Sequence, residues 1–343
     1  MIEMRFKNSM EDLLESACQS IRYRIRREIL HESFSAREMK DLQAQILQDE
    51  KVKDIINSQH PDGWLGRRFH GYDSHEAGIR LLCEKGLAPQ HPTLASALHI
   101  VESNVKEIDR EMGSVGRVLD EEGFGGTLMI RAAILAHAGL EEKTLVQDQI
   151  EKALDGFRAV LKVESIDEVV ETFKGRLFFK HGIKWPGIYH LRLLAFTHGW
   201  RNQKNRSMVA EAVGKLIKLS PIPNMSVRHK SQLMAPASFG MQEFNPDLTS
   251  MNSAQWMMWF QRLELLSRLG IVGALPGLLS QLNSFRRTLD DHGRFAKDVN
   301  HDYFKRWGAY TGLMLEKDWR IPQRRIADLT FRSKLILHYA GSL

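Results

Sequence analysis

The sequence predicts an all-α fold, an α/α toroid in which about six helix pairs form a two-layer barrel. Three observations predict it. Few stretches alternate Val, Ile or Thr with polar residues as strands do. Four apolar segments end in a glycine and then an apolar residue, at Gly86-Leu87, Gly139-Leu140, Gly199-Trp200 and Gly270-Ile271, with the glycines 53, 60 and 71 residues apart. Glycine there suits a left-handed helix cap, and the spacing suits a recurring helix pair with a variable loop. Finally, the helices alternate in character between apolar all round and apolar on one face.

The pairs run 9–30 with 36–57, 73–86 with 92–112, 126–139 with 142–162, 186–199 with 205–219, 251–270 with 272–288, and 302–316 with 323–340. Within the first lies the one dense basic run, Arg22, Arg24, Arg26 and Arg27. It reads as a solvated helix face, with a phosphate-binding stripe as the alternative. Second helices are striped: Leu94, Leu98, Val101, Val105, Ile108 and Met112 step by three and four, as do Val146, Ile150, Ala153, Phe157 and Val160. First helices such as 128–138 and 188–196 are apolar nearly all round, so the first are expected to be buried and the second half-exposed. Residues 220–250 break the pattern with prolines and read as a lid or binding loop. Trp256 and Trp259 beyond it read as core. One domain over residues 1–343 accommodates all six pairs.

Composition narrows the function classes. Of the 343 residues, 43% are hydrophobic and 26% charged, so disorder is excluded. Two cysteines, Cys18 and Cys83, build neither a disulfide framework nor a Cys-rich metal site. No apolar run approaches a membrane span. Residues 1–7 lack a signal-peptide core, so a cytoplasmic location is expected. The net charge of +6 is dilute over this length, which makes nucleic acid an unlikely partner. A small-molecule or oligosaccharide ligand fits better; no cofactor is specified.

The sharpest motif is Gln59-His60-Pro61-Asp62-Gly63-Trp64-Leu65-Gly66, a tight Asp-Gly turn under a packed Trp. Degenerate copies occur at Asp120–Gly126 and Asp290–Phe295, and the Asp290-Asp291 pair of the second reads as structural. This pattern resembles the Gln/Trp repeat of the family that includes squalene and oxidosqualene cyclases and protein prenyltransferase β subunits. The resemblance covers residues 50–340 as architecture. It implies an α/α toroid with a central cavity and says little about what enters it; a partly apolar, anionic ligand is the expectation that the recurring arginines described below add. The family's Asp-x-Asp-Asp acid, its Asp/Cys/His zinc set and its Asp-Asp-x-x-Asp box have no counterpart here, so no metal site is expected. Carbohydrate-active α/α barrels (lyases or hydrolases) and a non-catalytic binding scaffold are the alternatives.

Polar residues at the starts of inner helices are the site candidates. Arg67–Glu76 contributes Tyr72, Asp73 and His75; His181–Arg192 contributes Trp185, Tyr189, His190 and Arg192; His301–Trp307 contributes Asp302, Tyr303 and Trp307. His75, Tyr189 and His190 are the expected acid/base groups, with Asp73 or Asp302 orienting a His. Arg80, Arg131, Arg192 and Arg262 recur at one helix height. The first three are expected to line the cavity, in ligand binding with Tyr72, Trp185, Tyr303 and Trp307. Interhelical locking is the competing role for these arginines.

Overall fold

A computed structural model describes residues 2–33 and 35–341. The structure is mostly helical, with 56% helix, and the described residues also form a small four-stranded sheet. In chain order the helices are α1 (Ile2–Ser16), α2 (Gln19–Arg24), α3 (Arg37–Ile46), α4 (Glu50–Asn57), α5 (His75–Lys85), α6 (Pro92–Ser103), α7 (Val105–Glu121), α8 (Thr127–His137), α9 (Thr144–Val160), α10 (Ile188–Ala195), α11 (Gln203–Leu219), α12 (Ser253–Arg268), α13 (Pro276–Arg286) and α14 (Pro322–Tyr339). The chain gathers into two compact units. The first comprises 1–100, 248–270 and 282–343, and the second 101–247 and 271–281.

The contrast between helix types is plain in the second unit. Every residue of α10 is buried, and in α8 only Leu128 and His137 are not. In α9 burial follows the stripe Val146, Ile150, Ala153, Phe157 and Val160. The two apolar helices α8 and α10 pack on each other and both pack on α9, which also carries α11. An all-round apolar helix has no face to give to water, so it takes helices on several sides.

Strands are where the helical expectation fails. β1 (Val170–Phe173) and β2 (Arg176–Phe179) form a hairpin, as do β3 (Ser226–His229) and β4 (Gln232–Pro236). β2 pairs with β3 in parallel, giving the order β1-β2-β3-β4. The signal is short but present: Val170-Glu171-Thr172-Phe173 alternates, and Lys174-Gly175 supplies two residues at positive φ for a two-residue turn. The second hairpin occupies the segment read as a loop.

The first unit places a charged ring in its interior. Arg24, Glu28, Arg268, Glu264, Arg332 and Glu84 alternate in sign and close on themselves. Arg24 Nε donates to Glu28 at 2.5 Å, Arg268 Nη2 reaches Glu28 at 2.6 Å, and Arg332 joins Glu264 at 3.2 Å to Glu84 at 2.7 Å. Burial pushes the Glu28 carboxyl up, and Arg24 and Arg268 more than reverse it, leaving it well below the usual carboxylate range. A π-helical turn at Ile25–Ile29 follows α2 and carries Glu28 into the ring. The basic run is therefore not a solvated face throughout: Arg24 turns inward, Arg22 donates to Gln45, and Arg26 pairs with Glu32.

Two further expectations are corrected. Residues 302–316 are not a helix: after a single 3-10 turn at His301–Tyr303 the chain runs irregularly to α14. Gly86, Gly139 and Gly270 have positive φ, but Gly199 does not, because α10 has already ended at Ala195. The Asp-Gly-Trp motif behaves as expected. Gly63 has φ +95°, Trp64 is buried, and Gln59 Nε2 donates to the carbonyls of Gly63 and Thr93. Asp290 accepts the His292 and Arg294 amides of its own turn, as its structural reading expects, and Asp120 likewise accepts the Gly126 and Leu128 amides. Trp256 and Trp259 are fully buried. Among the described residues no helix is long and apolar enough to cross a membrane.

Candidate functional site

The site grows from the loop between the Asp-Gly-Trp turn and α5. Gly66 lies at φ +89°, and a Cβ there would sit 2.4 Å from the Asp73 carbonyl oxygen, so glycine lets the loop double back. The His75 and Glu76 amides then donate to the carbonyls of Arg68 and Phe69, at 2.7 and 3.1 Å. Ser74 caps α5 by accepting from the Ala77 amide at 3.1 Å. His70 is thereby folded over the first turn of α5, where its Nδ1 meets Glu76 Oε2 at 2.7 Å. Glu76 is 2% exposed, whereas the His70 side chain retains 23%.

A second segment completes the arrangement. Tyr72 bridges to Gly308, and the Ala309 amide donates to the Gly71 carbonyl at 3.0 Å. A Cβ at Gly308 would meet Tyr72 Cδ1 at 2.6 Å, so a larger residue there would push the exposed Tyr72 ring aside. Tyr310 is carried beside His70, with its hydroxyl 3.3 Å from Nε2 and the rings edge-to-face. Glu76 is acceptor-only when ionised, so the Nδ1 proton belongs to that bond. The Nε2 lone pair is then left for the Tyr310 hydroxyl. Carboxylate, imidazole and phenol form a relay in which the buried acid orients a base that still reaches water.

A cavity of about 230 Å³ is built from the same two segments and the end of α4. Asp73, Ser74, Ala77, Leu81, Leu65 and Trp307 line it. The polar clusters at 67–76 and 301–307 do meet, therefore, and Asp73 and Trp307 share a cavity wall. The guanidinium of Arg80 reaches the carbonyls of Gly308 at 3.1 Å, Thr311 at 2.9 Å and Gly312 at 3.5 Å. It also lies against the Trp307 ring, 5.5 Å from its centroid. Its fork clasps backbone and fixes the loop that carries Tyr310.

Other predicted residues have different positions. His75 is fully buried; its Nδ1 accepts from the Leu65 amide at 2.9 Å and its Nε2 faces the Ala97 carbonyl at 3.0 Å. Burial takes its pKa down to about 4. His75 is thus a neutral staple, both nitrogens engaged by backbone. Asp302 is exposed and paired with Lys305 at 2.6 Å, which pulls its carboxyl pKa down. Tyr72 and Tyr303 are exposed.

In the second unit, His190 is 1% exposed and accepts from the Gly187 amide at 3.0 Å. Burial lowers its pKa to about 4. Cβ atoms at Gly125 and Gly156 would meet its ring at 2.6 and 3.3 Å, so the imidazole fills a slot left by glycines. Tyr189 and Arg192 are buried, the guanidinium 5.2 Å from the ring centroid. Trp185 is fully buried against Phe179. Arg131 donates to the carbonyls of Val101 and Glu102 at the end of α6. Arg80 and Arg131 both bond backbone carbonyls, so each guanidinium ties chain segments together.

Sequence reasoning passed over His70, Glu76 and Tyr310. The crowding of residues 67–76 contained the first two; nothing local marks Tyr310. Among the described residues no group of three or more His, Cys, Asp or Glu is placed to hold a metal ion. Comparison with protein-family models, curated proteins and solved structures finds no match.

Proposed function

We propose that the chain is an enzyme performing proton transfer on a small, partly apolar substrate, with His70 as the acid/base group. The observation that carries this reading is the relay: a buried Glu76 carboxylate on Nδ1, and a phenol on Nε2, of a histidine that keeps solvent access. Glu76 holds the tautomer that leaves Nε2 basic, and Tyr310 conducts or donates the proton on the substrate side. A cavity whose lining includes Asp73, Ser74 and Ala77, neighbours of Glu76 in sequence, supplies apolar walls in Leu65, Ala77 and Leu81.

As the wider frame we propose an α/α toroid related in architecture to the cyclases and prenyltransferases. Its support is the direct packing of the all-round apolar α8 and α10, with striped α9 against both. The sugar-lyase alternative draws support from the Tyr/His pairing at Tyr310 and His70. The expected anionic ligand finds no support in this cavity.

The test is turnover. The protein is incubated with a pool of small metabolites in D2O, and mass spectrometry reads consumption or deuterium uptake. His70→Gln and Glu76→Gln should each lower the rate by about 10²–10⁴-fold. Wild-type rates in both variants would refute the assignment.

A further inference from the structure

We infer that the small sheet carries a binding surface for single-stranded nucleic acid, held through its phosphates by Lys174, Arg176, Arg228 and Lys230. The surface lies wholly in the second unit and shares no residue with the proposed relay. Averaged over the chain, the net charge of +6 argues against a nucleic-acid partner. The fold gathers half of it on two hairpins: residues 170–179 and 226–236 hold those four cations against one acid, Glu171.

Strand pairing brings the cations together. Phe173 is opposite Arg176, and Glu171 is opposite Phe178. Residues opposite one another, or two apart on one strand, share a face, so Phe173, Arg176 and Phe178 stand on one side of the sheet. Arg228 joins them: its guanidinium carbon lies 4.2 Å from the Phe173 ring centroid and 5.3 Å from that of Phe178. Lys174 Nζ approaches the same Phe173 ring at 5.2 Å. Arg228 Nε donates to the Lys230 carbonyl at 3.1 Å, which ties the guanidinium to its own hairpin turn. All four cations are exposed, and among the described residues none of them is in an ion pair. Glu171 stands on the same face and leaves the group with three net positive charges.

Like charges gathered without counter-charges call for a polyanion to offset their mutual repulsion. The candidate polyanions differ in what else they need. An anionic membrane is held firmly where apolar side chains enter it, and among the described residues no large apolar side chain of the sheet is exposed. A duplex keeps its base faces stacked inside and shows the surface only phosphates, sugars and base edges. A single strand also brings unstacked bases. Here these meet the Arg228 guanidinium, a planar group on which bases stack, and Leu233, which is opposite Arg228 and half-buried. The Phe173 ring is already covered by Arg228, so it supports that plane from beneath.

Fluorescence anisotropy of the full chain with a labelled oligothymidylate of roughly 12 nucleotides tests this. Binding should saturate and should weaken about 50-fold between about 50 and 200 mM salt, as expected for about four phosphates neutralised on a single strand. Lys174→Asn combined with Lys230→Asn should weaken binding at least about tenfold and halve the salt slope. Both lysines have positive φ, +51° and +55°, which Asn accepts, so the turns are kept. Arg176→Gln, at a strand position outside both turns, should lower the slope by about 0.7. Lys40→Gln combined with Lys106→Gln removes the same charge from exposed sites off the sheet and should change the affinity less than about twofold. The inference is overturned if binding does not saturate, if the Lys40 and Lys106 pair weakens it as much as the sheet pair, or if Arg176→Gln leaves the slope unchanged. Tighter binding to a duplex of the same length, or to phosphatidylserine vesicles, than to the single strand overturns it as well.

Discussion

Residues 67–76 and 181–192 are close in composition, and each brings His, Tyr and basic residues to the start of an apolar helix, yet their histidines take different roles. In the first, His70 lies in a loop folded back over the helix it precedes, so its ring stands outside α5 and meets Glu76 from the solvent side. In the second, His190 lies within the first turn of α10, and its ring reaches back to the Gly187 amide. That is the work a Glu or Gln does in a capping box, and it leaves the ring inside. His75 resembles His190 more than its own neighbour His70: it too accepts a backbone amide and is buried. A histidine's role here follows from whether it belongs to the helix or to the loop wrapped over it.

The largest effect should come from the packing that holds the first region in shape. The Trp64 ring lies 4.7 Å from that of His75 and edge-on to Phe69 at 6.4 Å. Trp64→Ala should cost about 3–5 kcal/mol, read as a lower urea midpoint at unchanged slope. It should also release His75, so Leu65 amide exchange should accelerate. A midpoint equal to wild type would show that the turn stands without its Trp.

Acid should act on both regions, through the histidines that are alike. His75 and His190 have pKa values lowered to about 4 by burial, against 6.5 for the free side chain. Between those values the unfolded chain binds more protons than the folded one. Stability is therefore full above about pH 6.5 and falls as pH drops toward 4, by about 3 kcal/mol for each histidine. His190→Gln should remove the share that belongs to the second region. If the slope of stability against pH is the same in that variant, His190 is not buried neutral.

Much of this was legible in the sequence, and the limits have physical causes. The stripes of α9 and the all-round apolarity of α8 and α10 dictated their burial, because helical periodicity is a local property. The 59–66 turn was legible for the same reason. Both hairpins were missed because four-residue strands carry little periodicity, and the helix expected at 302–316 failed because its apolar residues pack without helical backbone. The site was half legible. Crowding at 67–76 marked the segment but not the residue, because choosing His70 over His75 needs the loop's path. Tyr310 enters through Gly308 and Arg80, more than 200 residues from Glu76 and outside the reach of spacing arguments.

Arg80 sharpens the comparison from the other side of the relay, at smaller cost. Its planar fork holds the 308, 311 and 312 carbonyls at once, which one ammonium cannot match. Arg80→Lys should destabilise by about 1–2 kcal/mol. The Tyr310 ring signals should broaden as the loop loosens, while those of His190 stay unchanged. Sharp Tyr310 signals in the variant would show that Gly71 and Gly308 suffice to fix the loop.

The most informative effect, read on a tautomer and not on stability, should come from Glu76→Ala combined with a reading of His70 itself. Glu76 is buried, so the variant also costs some stability, but what it removes chemically is the group that selects the His70 tautomer. In mildly alkaline buffer, nitrogen spectra of the wild-type side chain should show the proton on Nδ1, because Glu76 is acceptor-only there. In Glu76→Ala the proton should move mainly to Nε2, the form preferred by an unconstrained imidazole, and Nε2 then has no lone pair for Tyr310 or a substrate. His190 should serve as the internal control. Its Nδ1 accepts from Gly187, so its proton sits on Nε2 in both proteins. An Nε2 proton on His70 in the wild type would erase the difference between the two histidines and, with it, the case for His70 as a base.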